Sequence, residues 1–121
     1  MIDYVTVSSA DTPVRDGAIR LHGPEGFAGM RQAGRLAALA LDHIVPMVVP
    51  GAVTQVIDDT VRDFVLAAGA LPATVGYRGY AHSSCISINH VVCHGIPSDK
   101  ALKDGDIVNI DITVIVDGWH G

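Results

Sequence analysis

The sequence predicts an α+β domain, two helices packed on a mainly antiparallel sheet. Three observations carry this. Apolar residues recur at three- and four-residue spacing over 24–45 and again over 53–68. From residue 85 onward the character changes to short, alternating β-branched segments. Asp117-Gly118 then reads as a two-residue hairpin turn between Val116 and Trp119. Helices first and strands afterwards is the order of α+β rather than of alternating α/β proteins.

The first 23 residues read as an irregular N-terminal extension, broken by Ser8, Ser9, Asp11, Pro13 and Gly17. Ala18-Ile19-Arg20-Leu21 is a candidate edge strand. A domain over 24–121 follows. Its first helix starts near Pro24, where the missing proline N–H would be unpaired anyway, and Glu25 sits by the positive end of the dipole. Phe27, Met30, Gly34, Ala37, Ala38, Leu41 and Ile44 or Val45 draw the expected buried stripe, with Gly34, Ala37 and Ala38 permitting close approach. Pro46 and Pro50-Gly51 stop the helix. The second helix is expected to start at Thr54 as N-cap and to bury Val53, Ile57, Val61, Phe64, Val65 and Ala68. Gly69 suits a left-handed C-terminal cap.

Two strands are expected at 85–88 and 90–93, across Asn89. The strongest runs from Ile107 to Val116. Val108, Ile110, Ile112, Val114 and Val116 share one face; Ile107, Asn109, Asp111, Thr113 and Ile115 share the other.

The chain has 121 residues, with 8 Lys plus Arg, 13 Asp plus Glu and a net charge of −5. That balance lacks the field that gathers phosphate backbones, so nucleic acid is not the expected partner. No apolar run reaches the roughly 18 residues of a membrane span, and the start does not read as a secretory signal. Two cysteines make no disulfide framework, so the expected address is the cytoplasm. Charged residues are 17% of the chain, below the typical fraction of about 25%. Either a partner covers much of the surface or the chain belongs to something larger.

Asp111 is the most informative residue. A carboxylate amid a β-branched strand opposes strand propensity and is expensive to desolvate. Two readings fit it: a solvent-facing side of a half-exposed strand, or an oxygen donor for a hard cation on a rigid element. His94 comes second. Gly95-Ile96-Pro97 restrains the backbone just after it, which suits either a structural histidine or one that donates to a carbonyl near pH 7. Cys85 and Cys93 are eight apart, not the spacing of a zinc knuckle. His22, His43, His82, His90 and His120 are scattered. Gly76-Tyr77-Arg78-Gly79-Tyr80 lacks the strand-then-helix context of a phosphate cradle, and its tyrosines suit an apolar pocket or ordinary packing.

Taken together, Gly76 to Tyr80, Cys85-Ile86-Ser87-Ile88-Asn89-His90-Val91-Val92-Cys93-His94-Gly95-Ile96-Pro97, Leu102 to Asp111 and Asp117 to Gly121 resemble type I methionine aminopeptidase. Met30 to Ala37 and the Pro50-Gly51 turn are similar to that family too. The resemblance covers about residues 24–121. It implies the N-terminal half of a pita-bread fold, two related α+β halves around a central site. It implies removal of the initiator methionine from nascent polypeptides, at the ribosome, by two-metal hydrolysis. Two divalent ions (Co, Mn, Fe or Zn) are the implied cofactors.

By the same resemblance, Asp111 is the first metal-binding aspartate. His94 is the catalytic and substrate-binding histidine near the scissile amide. Tyr77, Tyr80 and Cys85 line the methionine side-chain pocket. Arg78 departs from the pattern at a position that varies in the family, and His82 and His90 likewise differ among relatives. The family motif at Gly121 runs on into a second aspartate, and a histidine and two glutamates follow later. The expectation is therefore an incomplete metal site and no catalysis by these 121 residues alone. The alternatives are a non-catalytic half fold that binds a partner, or itself, through its open apolar face, and a relative that cleaves X-Pro peptides or creatine on the same fold. Cys93 to Pro97 favours the aminopeptidase over that relative.

Overall fold

The computed structural model describes residues 4–7 and 19–121. Strand β1 (Tyr4–Val7) pairs in parallel with β2 (Ile19–His22). Strand β2 falls on the candidate edge strand, whereas β1 stands in a stretch expected to be irregular; the breakers from Ser8 to Gly17 lie outside the described residues. Helix α1 spans Pro24–Ile44 and a 3₁₀ turn, Val45–Met47, closes it. Helix α2 is Thr54–Ala67. The strands β3 (Leu71–Pro72), β4 (Cys85–Ile88), β5 (Val108–Asp111), β6 (Val114–Val116) and β7 (Trp119–His120) follow. They form two antiparallel sheets, β3-β6-β7 and β4-β5. Ile44, Ile57, Val61, Val65, Ile86, Ile88, Leu102 and Val114 make the core between helices and sheets.

Helix α1 buries a different face from the one its large residues suggest. Gly26, Ala33, Ala40 and Ile44 are buried, whereas Phe27, Met30 and Leu41 are exposed. The reason is the proximity of the β6-β7 hairpin. A Cβ on Gly29 would run into the Trp119 ring, and one on Gly26 would lie 3.1 Å from Trp119 Cη2 and 2.8 Å from His22 Cβ. His22 packs edge-on to Trp119, ring centroids 5.2 Å apart. Small residues at 26, 29 and 33 admit this contact. Gly34 has open space around it and is not the point of close approach.

Helix α2 buries Ile57, Val61 and Val65 as expected, together with Thr54 and Asp58. Its N-cap is Val53, which makes no side-chain cap bond. Thr54 is used otherwise: its hydroxyl donates to Ser98 O (3.1 Å) and accepts from Ser98 N (2.9 Å), tying α2 to the 98–102 segment. Gly69 takes φ +77° just past the helix, the left-handed cap its position predicts.

The expected strand 107–116 is two strands in two sheets. Residues 108–111 pair with β4, and 114–116 pair with β3 and β7. The switch falls at Ile112-Thr113, where Ala73 N donates to Thr113 O (2.8 Å). Side-chain alternation survives the switch: Val108, Ile110, Ile112, Val114 and Val116 all face the core. The turn at Asp117-Gly118 has φ +48° and +83°, the two left-handed residues of a type I′ hairpin.

No strand forms at 90–93. Asn89 adopts φ +55° and leaves β4. Its side-chain amide donates to Asp106 (2.9 Å) and accepts from Ile107 N (3.0 Å), closing the loop there. The Asn89 bond, and then the Lys103 N–H, hold the Asp106 carboxyl below its usual range.

The two glycines of α1 separate packing from propensity. Gly29→Ala is expected to destabilise the chain by about 1–3 kcal/mol through overpacking against Trp119. Gly34→Ala should stabilise it by up to about 1 kcal/mol, the gain from removing an exposed mid-helix glycine. Urea unfolding followed by circular dichroism checks both signs.

Candidate functional site

The site is assembled by a turn, a strand pair and a loop. In the turn, Gly76 (φ +83°), Arg78 (φ +50°) and Gly79 (φ +81°) are all left-handed. Gly76 N donates to Tyr80 O (2.7 Å) and Tyr80 N to Tyr77 O (3.0 Å), which folds the segment back on itself. Thr74 Oγ1 donates to His82 O (2.7 Å), and the Tyr80 hydroxyl donates to Ser84 O (2.7 Å).

This loop is anchored on Asp58 of α2, which is 3% exposed. The carboxyl accepts from Ser83 N (3.0 Å) and Ser84 Oγ (2.5 Å), and His82 Nδ1 lies 3.5 Å from it. In the sequence Asp58 holds an early place in a helix, where an acidic residue is ordinary. A polar residue at a position where the helical stripe predicts burial is the signal that marks it.

In the strand pair, Cys85 stands directly opposite Asp111, so the two side chains are neighbours on one face. Ile86 and Ile110 point the other way, into the core. The loop 89–97 returns along the far edge of β4. Gly95 N donates to Ser87 Oγ (2.9 Å) and Gly95 O accepts from Ile86 N (2.8 Å). A Cβ on Gly95 would collide with the carbonyl oxygen of Ile86, so only glycine can dock there. His94, at φ +55°, is thereby set beside β4.

Between these parts lies a cavity of about 570 Å3. Tyr77, Tyr80, Cys85, His94 and Asp111 all line it. Thr74, Ile96 and Thr113 complete the wall with Arg78 and Gly79; Ile96 lies inside the motif that ends at Pro97, whereas no motif included Thr74 or Thr113. His22, His43, His90 and Cys93 lie elsewhere, and both cysteines are free thiols. Burial, above all, and then hydrogen bonding to the Cys85 side chain raise the pKa of the Tyr80 phenol well above its usual value.

Residues 28–121 match the description of Metallopeptidase family M24. The chain belongs to this family. It is 52% identical over 103 residues to methionine aminopeptidase of Rickettsia prowazekii, covering 85% of this chain and 40% of that protein. It is 56% identical over 106 residues to methionine aminopeptidase of Escherichia coli K12, covering 86% and 40%. Superposition on the crystal structure of the Rickettsia enzyme gives a TM-score of 0.82 over 84% of this chain and 41% of that one. The Thermotoga maritima methionine aminopeptidase structure gives 0.79 at 33% identity, covering 82% and 40%. The fold is thus the N-terminal part of the pita-bread fold, and this M24 chain spans about two fifths of the relatives it matches.

M24 peptidases are metallopeptidases, so the donor set matters. Among the described residues no three His, Cys, Asp or Glu side chains gather closely enough to hold an ion. One carboxylate, Asp111, offers oxygen in the cavity, whereas a tightly held cation takes several protein donors. The donors present do not by themselves fit a resident divalent ion. No helix among the described residues is long and apolar enough to cross a membrane.

Two outcomes follow for this M24 chain. Asp58→Ala leaves Ser83 N–H and the Ser84 hydroxyl unpaired in a buried place and is expected to lower stability by about 2–4 kcal/mol, measured by denaturant unfolding. Tyr80 keeps its proton in the folded chain to a higher pH than in the unfolded one, where a tyrosine loses it near about 10. Its contribution is fully present below that pH and is lost as pH rises further. An alkaline titration by phenolate absorbance should show a late step that disappears in Tyr80→Phe, and the alkaline loss of stability should be shallower in that variant.

Proposed function

We propose that this chain carries the methionine side-chain pocket and the first metal-binding carboxylate of a cytoplasmic methionine aminopeptidase, which removes initiator methionine from nascent polypeptides. One observation carries the reading. Five residues drawn from three separated motifs line one cavity, in a chain 52% and 56% identical to two proteins named methionine aminopeptidase. That identity favours the methionine enzyme over relatives that cleave X-Pro peptides or creatine.

In this reading each residue has one task. Tyr77, Tyr80 and Cys85 wall the thioether side chain. The cavity volume falls within the range of about 300–1,000 Å3 usual for small-molecule sites. His94, fixed beside β4 by Gly95, holds the peptide bond by hydrogen bonding. Asp111 offers one oxygen toward the divalent ions of the family, cobalt, manganese, iron or zinc. A single carboxylate leaves such a site incomplete, so the 121 residues alone bind a methionyl peptide but do not cleave it.

A second reading, a non-catalytic half fold that docks a partner, draws on the exposed apolar residues Val92, Ile107 and Phe27, which are 88%, 75% and 54% exposed. Binding of a methionyl peptide in the cavity counts against it.

The test uses the purified chain and Met-Ala-Ser-amide. Chromatography should find no released methionine with cobalt or manganese added. Nuclear magnetic resonance should show peptide binding that weakens at least about fivefold in Tyr77→Ala, the loss of one aromatic contact. Metal-dependent release refutes the incomplete site, and binding unchanged in Tyr77→Ala refutes the pocket.

A further inference from the structure

Arg78 is a charged residue of the cavity wall that the reading above leaves without a task. Among the described residues it is also the only Lys or Arg of that wall, opposite in sign to Asp111. Its backbone lies at φ +50°, ψ +36°, a left-handed conformation that costs a non-glycine residue roughly 1–2 kcal/mol. Strain of this kind gathers at ligand clamps, and here it places the side chain on the face of Tyr77, 5.4 Å from the ring centroid. Tyr77 is 64% exposed, so the pair stands at the cavity mouth. A cation held over a ring commits none of its N–H donors to a hydrogen bond there. No carboxylate lies within ion-pair distance of Arg78 among the described residues, and no hydrogen bond engages it there. The cavity also holds more than the four heavy atoms of a methionine side chain, which leaves room for the following residues of a peptide.

We propose that Arg78 is a specificity-determining residue that favours methionyl peptides bearing a carboxylate side chain at their third residue. The proposal rests on the methionine-pocket reading and deepens it. The planar fork accepts a carboxylate by two parallel N–H bonds, while Tyr77 restrains the guanidinium and limits the entropy lost on pairing. A pair at an exposed mouth is worth a modest factor, so the effect is a preference and not a requirement.

The experiment compares Met-Ala-Glu-amide, Met-Ala-Gln-amide and Met-Ala-Lys-amide binding to the 121-residue chain, by nuclear magnetic resonance at low salt. Amide ends remove the terminal carboxylate from the comparison. The glutamyl peptide should bind about threefold to fivefold tighter than the glutaminyl one, and the lysyl peptide weakest. In Arg78→Gln the three affinities should converge on one another. Arg78→Lys should keep part of the preference, and raised salt should erase it. Equal binding of all three peptides to the unsubstituted chain overturns the proposal and leaves the pocket reading standing. A preference that persists in Arg78→Gln overturns it likewise. Failure of every peptide to bind overturns the pocket reading and the proposal together.

Discussion

Asp58 sits in the second turn of α2 with its carboxyl group out of water, and residues 82–84 of a loop 25 positions later converge on it. A polar group in that position costs several kcal/mol unless its hydrogen bonds are replaced. Here they are, and no buried side-chain nitrogen or oxygen among the described residues lacks a partner. The consequence is directional. Helix α2 is locked into the core by Ile57, Val61 and Val65, so whatever Asp58 grips inherits the rigidity of the core. Through Ser84 O it grips Tyr80, and through His82 O it grips Thr74. Two cavity walls are therefore fixed by a residue that never touches the cavity.

The opposite wall is fixed by the backbone of Gly95 and the Ser87 hydroxyl. Gly95 lies so close to Ile86 that the loop and β4 behave as one layer. That contact holds His94 on one edge of β4 while β5 holds Asp111 on the other. A histidine and an aspartate 17 positions apart are thus related through a single four-residue strand. A short element suffices for this because β4 is restrained from both edges.

Much of this was legible in the residues, and the failures share one cause. Helix ends, the Asp117-Gly118 turn and the Gly69 cap are local, and local chemistry announces them. Motifs also named the five residues that meet in the cavity, because their order along the chain survives folding. What alternation and periodicity do not carry is the identity of the neighbour. The run 107–116 alternates without a break, yet its partner changes at Ile112. Helix α1 shows a stripe of large residues, yet it buries the small ones, since Trp119 decides how close the next layer comes. Asp58 shows only as a polar residue on a buried stripe, for the same reason: its partners, Ser83 and Ser84, lie far along the chain.

The lopsided packing of α1 has an evolutionary reading. One side of that helix is pressed against an indole ring and the backbone of Gly121, where any added atom collides. The other side carries Phe27, Met30, Leu39 and Leu41 at the surface, where bulk is tolerated. Mutational drift along the helix is therefore channelled: glycine and alanine stay put on the inner track, and the outer track is where descendants of this chain are free to diverge and to acquire new neighbours.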